Sequence, residues 1–335
     1  MRFKSIILIA LVSLISTGFA HAQSKRAQTS MKFLSVSPSA RAAGMSDAVT
    51  SLDMGAYGAL YNPATMSQFN GKYAATVGAV QWIADIYHSS ASFVYKPGSG
   101  KVGVFGFNII SVDYGDILAT AFSETEEGGY VDLGTFSPSA MVLGLSYANA
   151  LTDKFSIGVN FRYGSQDLGS APISLDGAGG YNYQSFSANS QLLDFGILYK
   201  TGFESLNLAM AIRNFGPETQ YDVESAELPL TFKMGVSMDI LDVTNIDKDI
   251  HSLLISIDSN NARDYDEQLL FGFEYTFVDR FVIRGGHGFP KDEESFSLGM
   301  GVKQPLGSLT LSVDYSYTAF GVFGEVQRFG AQIGF

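Results

Sequence analysis

From Tyr73 to the C-terminus the chain repeats one pattern, in which large apolar or aromatic residues alternate with small or polar ones. Leu309, Leu311, Val313, Tyr315 and Tyr317 fall on one face of a run whose other face is Thr310, Ser312, Asp314 and Ser316. Phe155 to Tyr163, Leu230 to Ile240 and Leu269 to Phe277 alternate in the same way. A period of two is the mark of extended strands, because successive side chains point to opposite sides of a sheet. Collecting such runs predicts about fourteen strands, starting near Tyr73, Asp85, Lys101, Pro138, Phe155, Ser187, Leu206, Leu228, His251, Glu267, Phe281, Ser295, Leu309 and Glu325.

The connections provide a separate test. Those after even-numbered strands are short, as at Lys96 to Lys101, Ala150 to Lys154, Thr201 to Ser205, Val278 to Arg280 and Gln304 to Ser308. Those after odd-numbered strands include the long polar segments Asp113 to Ser137 and Gln166 to Gln184 and the acidic tips Ser259 to Asp266 and Pro290 to Glu294. Leu241 to Asp249 is longer than its place predicts. Short turns on one side and long loops on the other describe a bacterial outer-membrane barrel with both chain ends on the periplasmic side. The alternative is a soluble sandwich, which would turn its oily face inward and charge the other. Only 16% of residues are charged, against 36 Gly, 26 Phe and 17 Tyr. Tyrosines recur at strand ends (Tyr95, Tyr147, Tyr163, Tyr199, Tyr275), where an aromatic girdle would sit. The fold expected is therefore an all-β membrane protein, a 14-stranded antiparallel transmembrane barrel.

The first 22 residues read as a signal peptide: Arg2 and Lys4, then an apolar stretch from Ile6 to Ile15, then Ala20-His21-Ala22 as a cleavage signal. The localisation implied is the bacterial outer membrane. No later run of about 18 apolar residues suits a membrane helix, and a chain without cysteine has neither disulfides nor a lipidated Cys. A net charge of −12 argues against nucleic acid as a partner.

Phe33 to Ser67 is the stretch that does not alternate. Rich in Ala, Gly and Ser, it can pack closely but cannot build a core alone, so it is expected to plug the barrel as a periplasmic-side segment following a polar tail, Ser24 to Lys32. A weak helix is expected over Arg41 to Leu52. The inward face carries Arg162, Asp194, Lys200, Arg213, Lys233, Asp239, Asp258, Glu274, Lys303, Asp314 and Arg328, which must pair or meet water. Arg41 is expected to pair with an inward carboxylate such as Asp194, Asp239, Asp258 or Asp314. The histidines His88, His251 and His287 form no metal-spaced pair, and no nucleophile motif occurs, so no catalytic, cofactor or metal residue is assigned. The tip Asp258 to Asp266 lacks the grammar of a calcium loop and reads as a solvated loop.

Ser39-Ala40-Arg41-Ala42-Ala43-Gly44-Met45, followed by Tyr61-Asn62-Pro63-Ala64, resembles the N-terminal signature of the PorV/PorQ family, barrels associated with type IX secretion in Bacteroidetes-like bacteria. That family is similar in fold to the FadL fatty-acid transporters, whose fourteen-stranded barrels hold an N-terminal hatch with an Asn-Pro-Ala turn. The resemblance implies a hatch motif of Ser39, Arg41, Gly44, Met45, Asn62, Pro63 and Ala64, domains of 1–22 (signal), 23–70 (tail and hatch) and 71–335 (barrel), and Phe335 as the barrel-assembly signal. It implies a non-enzymatic role in secretion or surface attachment. The partners implied are type IX components or cargo C-terminal domains, with lipid and lipopolysaccharide around the wall. The alternative is a FadL-like conduit for a hydrophobic small molecule. Its lumen would hold a hydrophobic ligand or detergent, which would leave sideways near Gly103 or Gly106, where alternation breaks.

Overall fold

The structure, a computed structural model, describes residues 28–98, 100, 102–123, 127–176, 180–291 and 294–335. The signal peptide expected at residues 1–22 lies outside the described residues. In chain order the strands are β1 (Tyr73–Gln81), β2 (Tyr87–Tyr95), β3 (Val104–Asp113), β4 (Ile117–Phe122), β5 (Tyr130–Phe136), β6 (Ser139–Ala150), β7 (Phe155–Leu175), β8 (Tyr181–Lys200) and β9 (Asn207–Phe215). They continue as β10 (Thr219–Gln220), β11 (Ser225–Ala226), β12 (Thr231–Asp239), β13 (His251–Ala262), β14 (Gln268–Phe277), β15 (Phe281–Phe289), β16 (Phe296–Leu306), β17 (Leu309–Ala319) and β18 (Glu325–Gly334). β4 with β5 and β10 with β11 make small separate hairpins; the other fourteen close an antiparallel barrel in which β1 pairs with β18.

Each wall strand shows the alternation read from the sequence. In β3, Val104, Gly106, Asn108, Ile110 and Val112 are buried toward the lumen, while Phe105 and Phe107 are each 44% exposed on the outside. The outer face carries the same kind of residue all round, including Leu145, Phe161, Phe195, Phe271, Phe273, Leu298 and Phe329. A belt of that breadth far exceeds the apolar patches tolerated in water and belongs against lipid. Tyr73 stacks on Tyr95 at 5.0 Å and meets Phe335 at 5.1 Å, so the seam between first and last strands ends in an aromatic cluster at the short-turn end. The Phe335 carbonyl accepts from the Tyr73 amide at 2.8 Å and the Tyr73 carbonyl accepts from the Phe335 amide at 2.9 Å.

Three expectations are corrected. The polar segments Asp113 to Ser137 and Gln166 to Gln184 are not irregular loops: the first folds as the β4–β5 hairpin, and in the second β7 and β8 continue as a paired ribbon. Strands of 21 and 20 residues exceed the 9–11 that cross a bilayer, so this ribbon extends beyond it. The N-terminal stretch also does not start at the short-turn end. Thr29 bridges to Glu227 and Ser30 N–H donates to the Glu227 carbonyl at 2.8 Å, in the β11–β12 connection at the long-loop end. The Asp258 to Asp266 tip, read as solvated, secures this stretch: Asp264 is buried and pairs with Lys32. From there residues 30–72 traverse the lumen and reach the wall at Tyr73.

Replacing the outward Phe273 near the middle of β14 with Arg is expected to cost about 2–4 kcal/mol of barrel stability. Val223→Arg, in the exposed β10–β11 connection, should change it little. Urea titration of the protein folded into phosphatidylcholine vesicles would compare the two.

Candidate functional site

The lumen is filled by short helical turns. Lys32–Ser35 is a 3-10 turn, Ala40–Gly44 a single α-turn, Gly55–Tyr57 a 3-10 turn, Gly58–Tyr61 a second α-turn and Pro63–Gln68 a third 3-10 segment. The helix expected over Arg41 to Leu52 stops at Gly44, because Ser46 and Asp47 both adopt positive φ (51° and 62°) and turn the chain. This plug and the inward wall together form the main apolar core: Phe33, Leu34, Met45, Val49, Leu52 and Tyr61 pack with Ile110, Val142, Leu192 and Leu228.

Ser39 and Asn62 act as caps, the first accepting from the Ala42 amide and the second from the Ala64 amide. Asn62 is fully buried. Its side-chain amide donates to the Thr50 carbonyl at 2.8 Å and to the Ile197 carbonyl of β8 at 3.1 Å, tying two plug segments to the wall. Pro63 fixes the following φ and removes a donor that would otherwise need a partner. The corner sits in a notch made by Gly158 and Gly196, which are paired across β7 and β8. A Cβ at Gly196 would lie 1.8 Å from Asn62 Oδ1, and one at Gly158 would lie 2.3 Å from the Ala64 nitrogen. Gly44 lies similarly close to Gly299 of β16, with 3.1 Å from its hypothetical Cβ to the Gly299 Cα, and Met45 is buried.

Arg41 is placed on the wall, but with a different partner from those expected. Its Nε and Nη2 form a bidentate pair with Glu274 of β14, both at 2.8 Å, and its Nη1 donates to the Asp53 carbonyl at 2.7 Å. Glu274 also accepts from Arg284 Nε at 2.6 Å, and Arg284 donates in turn to Asp314 at 2.6 Å. Of the four carboxylates expected, Asp194 is taken by Arg162 at 2.5 Å, Asp258 accepts from the Thr50 amide at 2.9 Å, and Asp239 caps a turn at the short-turn end. Asp314 joins the same network through Arg284. Arg284, buried on β15, was missing from the inward set because the run Gly285-Gly286 interrupts the alternation around it. Lys200 and Lys303 do not reach the lumen interior: Lys200 is exposed, and Lys303 lies 3.5 Å from Asp279 in a turn.

A second polar chain links the plug to the opposite wall. Asn108, Ser146 and Asn160 are hydrogen-bonded across β3, β6 and β7, and Asn160 donates to the Ala59 carbonyl of the plug at 2.9 Å and to Asp194 at 3.1 Å. Among the described ladders there is no lateral opening at Gly106, and Gly103 precedes β3, outside the ladders. β3 pairs without interruption with β2 and β6, and Gly106 lies in register between Val94 and Ser146. Among the described barrel ladders within the wall, the register shift falls instead between Leu193 and Phe195 of β8, opposite Asn214 of β9 at φ 60°.

Above the plug, toward the long loops, the lumen widens to a cavity of about 890 Å³. Phe33, Leu34 and Asp47 form part of its floor, and Trp82, Ile86, Arg213, Lys233, Leu270 and Arg328 are among its walls. Asp47 Oδ1 accepts from the Ser37 hydroxyl at 2.5 Å, and Ser37 also meets the Tyr61 hydroxyl at 2.7 Å. Burial pushes the Asp47 carboxyl up, but nearby Lys233 and the Ser37 hydrogen bond outweigh it and hold the group below the usual carboxylate range.

A family model described as type IX secretion system protein PorV matches residues 19–257. No curated protein matches the chain. Among solved structures, the Ralstonia pickettii toluene transporter TbuX is 16% identical, with a TM-score of 0.56 over 87% of this chain and 96% of that one. A Pseudomonas aeruginosa FadL homologue is 14% identical, with a TM-score of 0.53 over 89% and 98%. The Pseudomonas putida toluene transporter TodX is 12% identical, with a TM-score of 0.51 over 87% and 95%. These likenesses show the fold.

Gly196→Ala should displace the Asn62 corner and expose residues 50–66 to protease while the barrel persists; limited proteolysis with mass spectrometry reads the site of cleavage. Glu274→Gln leaves Arg41 and Arg284 without their shared carboxylate and is expected to cost about 3–5 kcal/mol, measured by chemical denaturation. Because the Asp47 pKa is depressed in the folded state, its contribution is present above its unfolded pKa of about 3.9 and is lost as pH falls through the folded value. Proteolytic exposure of the plug should therefore rise below about pH 4, less steeply in Asp47→Asn.

Proposed function

The chain belongs to the PorV family of type IX secretion system outer-membrane proteins, and on that footing we propose that it is a plugged, non-enzymatic barrel that binds secretion partners or exported cargo at its long-loop end. The observation that carries this reading is the attachment of the plug. Arg41, Glu274, Arg284 and Asp314 form a continuous ion network between plug and wall, and the Asn62-Pro63-Ala64 corner occupies a notch that only glycine leaves open. Breaking a buried pair by removing one partner costs several kcal/mol, so this plug is built to stay. A fixed plug leaves the outer end to do the work. In outer-membrane barrels the long loops face outward. There the β4–β5 hairpin and the β7–β8 ribbon present Leu118, Phe122, Tyr130, Ile173 and Tyr183 to solvent.

On this reading Ser39, Arg41, Gly44, Met45, Asn62, Pro63 and Ala64 serve as the plug's anchors, within a tail and hatch of residues 23–70 that follows a signal peptide cleaved after Ala22. Phe335 serves as the assembly signal. Lipid and lipopolysaccharide cover the outer belt. A second reading, uptake of a hydrophobic small molecule, is favoured by the partly apolar cavity above the plug and by the likeness to transporter folds.

Affinity purification from native membranes separates the two. Co-purification of type IX components or of cargo carrying its C-terminal domain is the expected outcome. Recovery of the barrel alone, with reduced uptake of a hydrophobic compound in the deletion strain, would transfer the assignment to transport.

A further inference from the structure

The β4–β5 hairpin stands apart from the barrel, and its two edges are unlike. Among the described strands β4 and β5 pair only with each other, so each keeps one edge free. A free edge is a row of backbone donors and acceptors ready to take another strand, and proteins guard it with charges, prolines or bulges. β5 is guarded. Asp132 to Thr135 is set against the shorter stretch Leu118 to Thr120, a bulge in the ladder. Gly134 there takes φ 89°, and the Asp132 carboxylate accepts from the Gly134 amide at 2.8 Å. At its end Phe136 rests on Gly169 of β7, where an added Cβ would meet the ring at 2.7 Å.

β4 carries none of these devices. Ile117-Leu118-Ala119-Thr120-Ala121-Phe122 has no charge, no proline and no glycine. Leu118, Thr120 and Phe122 are exposed on one face, while Ala119 and Ala121 are partly buried on the other. Leu118 is 70% and Phe122 77% exposed, and Tyr130, also exposed, stands opposite Phe122. An apolar edge strand left bare in water invites pairing with another chain.

The surroundings carry one sign. Between Asp113 and Ser137 the sequence has Asp113, Asp116, Glu124, Glu126, Glu127 and Asp132 and no Lys, Arg or His. Residues 164–192, which contain the outer part of the β7–β8 ribbon, add Asp167 and Asp176, again without a cation. A field of one sign attracts a partner of the other and repels its like. The open edge therefore calls for a strand, and the charge around it for a basic one.

We infer that β4 is a docking strand: a partner protein adds an extended segment to its free edge, with lysine or arginine facing the carboxylates and apolar residues against Leu118 and Phe122. The inference rests on the reading of this barrel as a docking protein and names the chemistry of the partner at its long-loop end.

The full-length protein in phosphatidylcholine nanodiscs is titrated with three fluorescent peptides: alternating Lys and Val, alternating Glu and Val, and the Lys peptide with its central valines replaced by Pro. The expected result is saturable binding of the Lys peptide at a concentration at least 10-fold below that of either other peptide, with slowed amide hydrogen exchange over residues 117–122. Leu118→Lys combined with Phe122→Lys should raise its half-saturation point at least 10-fold. Val223→Lys, at the same end of the barrel but off this edge, should leave it within about twofold. Equal binding of the proline-bearing peptide reduces the contact to charge and overturns strand addition. Equal binding of the Glu peptide overturns the basic partner, and no saturable binding, or exchange unchanged over 117–122, overturns the docking strand. Purification from native membranes separates this inference from the proposed function. Type IX components recovered equally with the unaltered barrel and the double Lys variant would sink the inference and leave the function standing. A bound Lys peptide with no component recovered would do the reverse.

Discussion

Closure of the sheet is the constraint from which the rest of this structure follows. In hydrocarbon no water is available to satisfy an open edge, so every wall strand must find two neighbours and the first must pair with the last. Here the seam runs from Ala74 opposite Gly334 to Gln81 opposite Gln327. Closing fourteen strands encloses more space than the wall's own side chains can fill. An interior plug is the consequence, and the composition of both plug and wall answers the resulting packing problem. Small residues on the plug meet glycines on the wall, so that backbone approaches backbone at Gly44 against Gly299 and at the Asn62 corner against Gly158 and Gly196.

Polar groups are then distributed by depth. In the middle of the lumen, plug and wall are joined by paired charges in the Arg41 network and by side-chain hydrogen bonds along the Asn108-Ser146-Asn160 row. Toward the long loops, Arg213, Lys233 and Arg328 of β9, β12 and β18 face a cavity, and Lys233 and Arg328 donate to plug carbonyls there. The same inward face thus serves two purposes. It holds the plug below and lines a charged, partly apolar space above. An anchored plug and an open upper cavity are compatible, because different strand levels and different residues carry them.

Placement of the N-terminal stretch has a further structural consequence. Because Thr29 and Ser30 lie beside Glu227 and Lys32 pairs with Asp264, residues near the start of the plug join the long-loop end, while residues near its finish join the short-turn end. The plug is therefore pinned at both ends of the lumen as well as along its length. The anchoring groups are Glu274 of β14, backed by Arg284 of β15 and Asp314 of β17, on one side and the Asn160 side chain of β7 with the Ile197 carbonyl of β8 on the other.

Strand number, the parity of the connections and the identity of the plug were legible in the sequence, because a period of two needs only neighbouring residues to declare itself. So were the inward positions of Arg162, Asp194, Glu274 and Arg328, which follow from counting along a strand. Partners were not legible. Arg41 meets Glu274 rather than Asp194, Asp239 or Asp258, since which carboxylate faces a plug residue depends on the tilt and stagger of fourteen strands, which no single strand encodes. Arg284 escaped the count because its glycine neighbours interrupt the alternation. Which cations are left facing an open cavity was decided by tertiary structure alone: it depends on the course the plug takes inside a wall that forms only when distant strands pair.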